Sequence, residues 1–176
     1  EYGIEKMANM LNGVFVITLF DLKKKVLHIV GDRYGAKPLY YTEYKNRFIF
    51  SSELKGIIQN EDFERNINID ACNARLIFAR TGSRVLLDRV KILAPTEILT
   101  ITQDAIFSNF YFDWDSYKRD DNMFKTTEEA IAAVEKTSNK VVMRQIENKR
   151  MGIQLSGGID STLTAFYAKK IDAVNF

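Results

Sequence analysis

The sequence predicts an α+β unit followed by the opening of an α/β unit, and three observations carry that expectation. Residues 1–112 are dominated by short β-branched and aromatic runs, with only a few short helical patterns between them. The composition then turns to charge and asparagine over 113–125, as in a linker. Beyond it come a long helical pattern, a short apolar run, a tight glycine loop and another helix, which is how an α/β unit begins. The expected divisions are therefore 1–112, a linker over 113–125, and 126–176.

In order along the chain, residues 1–12 predict an amphipathic helix from Ile4, Met7, Met10 and Leu11. Gly13 to Phe20 predicts a well-buried strand, the polar stretch Asp21 to Lys25 a turn, and Val26 to Val30 the returning strand of a hairpin. Gly31 to Gly35 marks a loop. Pro38 to Tyr41 and Arg47 to Phe50 predict a further strand pair. A short helix to Ile58 should be capped by Ser51 or Ser52, with Glu53 in its first turn where the helix dipole favours an anion. After the connector Asn60 to Asn68, Asp70 reads as the N-cap of a helix to about Arg80. Strands are expected at Arg84 to Leu87, Glu97 to Thr102 and Ala105 to Phe112. Thr126 to Glu129 has the form of a capping box opening a helix to about Lys149, with Ile131, Val134, Val141, Val142 and Ile146 near one face. Met151 to Leu155 predicts a strand, Ser156 to Ser161 the glycine loop, and Thr162 to Lys170 the last helix.

Composition narrows the functional classes. The 176 residues are 46% hydrophobic and 12% aromatic, enough to bury a core, so disorder is not expected. Twenty-five Lys and Arg against 23 Asp and Glu give a formal charge of +2, too even to point to nucleic acid or an anionic membrane. One cysteine, Cys72, and one histidine, His28, exclude an internal disulfide and a Cys/His zinc site. No apolar run is long enough for a spanning helix and nothing resembles a signal peptide, so a soluble cytoplasmic protein is expected. Both ends read as cut from something longer.

The glycine loop Ser156-Gly157-Gly158-Ile159-Asp160-Ser161 is the strongest chemical signal. Adjacent glycines let the backbone turn sharply and approach a ligand closely. The helix that follows turns its N-terminal N–H groups toward the loop and favours an anion there. Ser156 and Ser161 add hydroxyls for phosphate oxygens, and Asp160 supplies a carboxylate that can hold Mg2+ bridging to a phosphate. Neither the Walker-type loop nor the Rossmann fingerprint is present.

In its strand–loop–helix setting this loop resembles the S-G-G-x-D-S loop of the ATP-pyrophosphatase superfamily. Upstream, Leu11-Asn12-Gly13-Val14-Phe15, the stretch from Asp32 through Lys37-Pro38-Leu39-Tyr40-Tyr41, and Phe50-Ser51-Ser52-Glu53-Leu54-Lys55 resemble the second half of a class II glutamine amidotransferase domain. In the asparagine synthetase family these read L-x-G-x-F, R-D-x-x-G-x-K-P-L-Y-Y and A-S-E-x-K, and Arg84 to Thr100 resembles the segment ending in P-P-G-x-x-L. The order and approximate spacing agree from about residue 2 to residue 170. Departures are Gly31 for the arginine of the R-D pair, which would loosen the contact between domains, Ser51 for an alanine, and Ala94-Pro95-Thr96 for Pro-Pro-Gly.

The resemblance implies the C-terminal part of an N-terminal-nucleophile αββα sandwich, then the first strand, loop and helix of a doubly wound α/β synthetase domain. It implies ATP and Mg2+ as cofactors, with Leu155, Ser156, Gly157, Gly158, Asp160 and Ser161 binding ATP and Asp160 binding the metal. It implies aspartate and glutamine as further small-molecule substrates, and a homodimer. The family's nucleophile is an N-terminal cysteine using its own α-amine as base, which these residues do not contain, so no catalytic residue is assigned. Cys72 is expected in the core, His28 in a structural or surface place, and Asp32 and Glu53 as loop scaffolding. These 176 residues alone are expected to be inactive. Alternatives of the same layout are β-lactam synthetases, lasso-peptide cyclases and sugar amidotransferases; an alternative of another class is a truncated ATP-binding relative without catalysis.

Overall fold

A computed structural model of the chain describes residues 3–79, 81, 83–115, 124–146 and 152–170. The chain divides into two compact units, residues 1–117 and 118–176. The boundary falls within 113–125, of which 116–123 lie outside the described residues.

The first unit holds helix α1 (Ile4–Met10), strands β1 (Val16–Asp21), β2 (Val26–Gly31), β3 (Tyr40–Tyr44) and β4 (Arg47–Ser51), helices α2 (Leu54–Ile58) and α3 (Ile69–Phe78), and strands β5 (Lys91–Ile92), β6 (Glu97–Ile101) and β7 (Ile106–Phe110). All pairings are antiparallel: a four-stranded sheet ordered β1-β2-β6-β7 and a three-stranded sheet ordered β4-β3-β5. The β1–β2 turn closes because the Asp21 carboxylate accepts the N–H groups of Lys23 and Lys24, each at 2.9 Å. The Lys24 N–H bond holds that carboxyl below the usual carboxylate range.

Side-chain alternation along the strands builds the layers. Opposed in register, Ile29 and Leu99 face the second sheet and pack with Leu39, Tyr41 and Leu93. The next pair, Val30 and Ile98, faces the other way and packs with Ala8 of α1 and Tyr111. The outer face of the three-stranded sheet packs Tyr44, with Tyr40 and Ile49, onto Ile57 of α2 and Phe63. The order is thus helix, sheet, sheet, helix, a mixed α/β architecture compatible with an amidotransferase domain. Ile29, Val30, Ile57, Ile98 and Leu99 are essentially inaccessible, and each such side chain contributes about 1.5–3 kcal/mol by burial.

Several expectations are corrected. The strand expected to be well buried forms β1, but while Val16 and Ile17 pack against the buried clusters, Leu19 and Phe20 at its far end are exposed. Glu53, not a serine, is the N-cap of α2; Ser51 Oγ instead accepts the Glu53 N–H at 3.3 Å. Asn68, not Asp70, caps α3, its side-chain oxygen accepting the Ala71 N–H at 3.0 Å. Arg84 to Leu87 is not a strand of either sheet. Leu87 bridges only to Ile67, and the chain reaches the second sheet at β5, after Arg89 turns it through a left-handed φ of 63°.

In the second unit, α4 (Thr127–Ile146) and α5 (Ile159–Lys170) share a small cluster of Val142, Ile146, Tyr167 and Ala168, with Ile153 against it. The capping box is shifted by a residue on one side: Thr126 Oγ1 accepts the Glu129 N–H at 3.2 Å, while the Glu129 carboxylate accepts the N–H of Lys125, not Thr126, at 2.8 Å. Of the expected apolar face, Val142 and Ile146 are buried, whereas Ile131, Val134 and Val141 are exposed. Gly152–Leu155 is not a strand, since it finds no ladder partner among the described residues; Met151 lies outside them. The last helix opens at Ile159, not Thr162, so Asp160 and Ser161 belong to its first turn.

Candidate functional site

Gly157 has a φ of +78°, a conformation that L side chains rarely adopt, and a Cβ built there would meet nothing within 4 Å. Conformation rather than space therefore demands glycine at that position. At Gly158 a Cβ would meet only Ser156 Oγ, at 3.4 Å, so the protein's own packing does not require that glycine.

The turn brings the two loop serines together. Ser156 Oγ and Ser161 Oγ lie 3.1 Å apart, Ser161 Oγ donates to the Gly158 carbonyl at 3.1 Å, and the Ser156 and Gly158 N–H groups donate weakly to Ser161 Oγ and Ser156 Oγ, each at 3.4 Å. Thr162 Oγ1 donates to the Gly158 carbonyl at 2.8 Å and Thr164 Oγ1 to that of Asp160 at 2.8 Å, fastening the first turn of α5. The structure thus gathers Ser156, Gly157, Gly158, Asp160 and Ser161 at the amino end of a 12-residue helix. Leu155, expected beside them, is exposed on the way in. At the far end, the Glu135 carboxylate holds Lys170 at 2.8 Å and raises its pKa, tying α5 to α4.

These residues suit a phosphate: two hydroxyls, a backbone turn free of Cβ, and N–H groups at the positive end of a helix. Among the described residues no group of three or more His, Cys, Asp or Glu is placed to hold a metal. Asp160 could serve Mg2+ only as one carboxylate alongside phosphate oxygens, a sharing usual for that ion.

The other residues singled out are structural. Asp32 is buried, and its carboxylate accepts the N–H groups of Phe15 at 3.3 Å, Tyr34 at 2.9 Å and Ala36 at 3.1 Å. Glu53 is exposed and pairs with Lys55 at 2.6 Å. His28 Nδ1 meets Thr100 Oγ1 at 3.1 Å across the sheet. Cys72 is half-buried in α3 rather than in the core. At Gly31 a Cβ would meet Leu93 Cδ2 at 3.0 Å and the Ala94 carbonyl at 3.2 Å, so a larger residue would press on the loop at 93–94. Sequence reasoning passed over Glu97, a buried carboxylate accepting the Ala94 N–H and the Ser108 hydroxyl, each at 2.7 Å. Its Ser108 partner is apparent only once β6 and β7 pair.

Two antiparallel sheets packed between helices make the first unit compatible with an amidotransferase domain. Residues 1–112 match the model of the glutamine amidotransferase domain, and the chain belongs to that family. Among the proteins it is similar to are glutamine-hydrolyzing asparagine synthetases. Asparagine synthetase 3 of Bacillus subtilis is 29% identical over 170 residues, 93% of this chain and 27% of the relative. Asparagine synthetase 1 of the same organism is 30% identical over 172 residues, 94% of this chain and 26% of the relative. The asparagine synthetase of Gallus gallus is 26% identical over 183 aligned positions, 96% of this chain and 29% of the relative. The chain thus spans little more than a quarter of the length of these relatives. The expected resemblance of the first part to an amidotransferase is borne out, and no helix among the described residues is long and apolar enough to cross a membrane.

Proposed function

We propose that this chain is the junction of a glutamine-dependent, asparagine-synthetase-like ligase, in which the amidotransferase domain leads into an ATP-pyrophosphate loop. The observation that carries the reading is the loop itself: the Ser156 and Ser161 hydroxyls 3.1 Å apart beside left-handed Gly157, at the amino end of α5. Supporting it, the similarity to asparagine synthetase 3 covers 170 residues and so runs well past residue 112.

On this reading ATP adenylates aspartate with release of pyrophosphate, and ammonia from glutamine displaces AMP. Ser156 and Ser161 hydrogen-bond the pyrophosphate oxygens, breaking their mutual contact to do so. Gly157 and Gly158 allow the backbone to approach, the first turn of α5 offsets the negative charge, and the Leu155 backbone would contact the adenine side. Asp160 would hold Mg2+, which would offset the phosphate charge. The nucleophile that releases ammonia from glutamine is not among these residues, so they hold the departing group rather than attack anything. The assembled enzyme is a homodimer taking ATP, aspartate and glutamine.

ATP–pyrophosphate exchange in the full-length protein tests the reading. Exchange that requires aspartate is expected, and Asp160→Asn should reduce it to background without shifting the melting temperature, because Asp160 is exposed. Exchange driven by another carboxylic acid would replace aspartate as acceptor. No exchange with any acid, or full exchange in the variant, would overturn the assignment.

A further inference from the structure

Asn12 is the one asparagine in the sequence that is followed by glycine. It comes directly after α1, whose last turn closes with the Leu11 N–H donated to the Ala8 carbonyl at 3.3 Å, and Leu11 itself is extended. Asn12, Gly13 and Val14 are exposed. The chain is next fixed at Phe15, whose carbonyl accepts the Asp32 N–H at 3.0 Å and whose N–H reaches the Asp32 carboxylate at 3.3 Å. Residues 12–14 thus bridge two anchored points without belonging to a helix or a strand.

Two features leave this pair chemically open. Neither Asn12 nor Gly13 makes a hydrogen bond among the described residues, so the side-chain amide and the Gly13 N–H are both left to water. Gly13 is also outside the left-handed region, and a Cβ built on it would meet nothing within 4 Å. Neither the turn nor the packing therefore demands glycine here, although this is the glycine of the segment resembling L-x-G-x-F. Its missing Cβ leaves the backbone nitrogen open to the side chain before it. Asn9 is the contrast: it lies within α1, and its side-chain amide donates to the Glu5 carbonyl at 3.3 Å and the Tyr111 carbonyl at 2.9 Å.

We propose that Asn12-Gly13 is a site of spontaneous deamidation, and that its products loosen the link between α1 and β1. Hydroxide removes the Gly13 amide proton, and that nitrogen attacks Asn12 Cγ. The N–Cγ bond forms as the Cγ–Nδ2 bond breaks, and the side-chain nitrogen leaves as ammonia with a proton from water. Water then opens the cyclic imide. Cleavage at Cγ gives aspartate; cleavage at the Asn12 backbone carbonyl carbon gives isoaspartate, in which the main chain runs through the former side chain. Water is the only co-reactant.

Either product places a new carboxylate just beyond the end of α1, whose last turn holds no basic residue to offset it. The helix end carries partial negative charge, so the two repel. Isoaspartate also adds a carbon to the path between Leu11 and Phe15, and so slackens the span that presents Phe15 to Asp32. The site is independent of the Ser156–Ser161 loop.

Incubation of the full-length protein in mildly acidic and mildly alkaline buffer, followed by fragment-ion peptide mapping, tests the proposal. Asn12 is expected to gain about one dalton, as a mixture of isoaspartate and aspartate, at a rate that rises with hydroxide concentration, while Asn9 stays intact. Gly13→Ala, which the open space accommodates, keeps the asparagine and should slow the reaction about tenfold or more by placing a methyl group beside the attacking nitrogen. In the modified fraction, separated by its extra negative charge, hydrogen exchange in α1 should be about twofold faster or more than in the unmodified fraction. An unaltered Asn12 after alkaline incubation, aspartate without isoaspartate, or an unchanged rate in Gly13→Ala would overturn the site. Equal exchange in the two fractions would overturn its effect on α1.

Discussion

Asp32 shows how much one carboxylate can organise. Three backbone donors converge on its side chain, while its own carbonyl accepts the N–H groups of Gly35 at 3.2 Å and Thr96 at 3.1 Å. Each donor stranded by its loss would cost about 1–3 kcal/mol, which explains an aspartate buried with no ion pair among the described residues. Thr96 answers a departure noted in the sequence. It stands where the family motif has glycine and adopts φ 63°, unusual for a β-branched residue. Its hydroxyl bond to the Phe112 carbonyl at 3.1 Å, and the Tyr111 N–H donated to its carbonyl at 3.0 Å, hold that conformation. Tyr41 yields a prediction about pH. Its folded pKa, about 12, lies above the ordinary 10.0, so the folded state keeps the phenol proton to higher pH than the unfolded chain. The corresponding stability is fully present below about pH 10 and is lost as pH rises toward 12. Denaturant titrations across that window should show wild type losing more stability than Tyr41→Phe; parallel losses would place the effect on other groups. The motif around Asp32 was legible because part of its partners, Tyr34, Gly35 and Ala36, lie within four residues along the chain, whereas Phe15 and Thr96 reach it only in the fold. Tyr41 and Thr42 were not, because their surroundings come from β5 to β7, some fifty residues away.

At the level of elements, the sequence located most strands and helices but misplaced their ends. For α3, Asn68 and Asp70 both had the chemistry of a cap, and only the extended backbone of Asn68 and its bond to the Ala71 N–H decide between them. Asn68→Ala should therefore cost about 1 kcal/mol, whereas Asp70→Ala should cost only about 0.3–0.5 kcal/mol of helix-dipole interaction. Equilibrium unfolding of the two variants would check this, and a reversed order would restore Asp70 as the cap. Strand β5 escaped the pattern because two residues carry no alternation, and Arg84 to Leu87 mimicked one while bridging only to the connector.

Across the whole molecule, the two units differ in how much they bury. The first has three clusters built from both sheets and the helices that flank them; the second relies on Val142, Ile146, Tyr167 and Ala168 while Ile131, Val134, Ile159 and Phe166 stay exposed. Local opening should follow that difference. Hydrogen exchange read by mass spectrometry is expected to be about a hundredfold faster or more in α4 and α5 than in β2 and β6. Equal protection in both would mean that the small cluster is not what limits the second unit.

The sequence by itself determined the change of character near residue 112, the resemblance to an amidotransferase and the glycine loop, because alternation, composition and a turn needing φ > 0 are local properties. Only the tertiary structure decided the strand orders β1-β2-β6-β7 and β4-β3-β5, the exposure of Leu19 and Phe20 in β1, and the meeting of Glu97 and Ser108 across β6 and β7. Those depend on hydrogen bonds and packing between distant segments, and a side chain's surroundings there are set by which strand lies next to its own rather than by its neighbours in the chain.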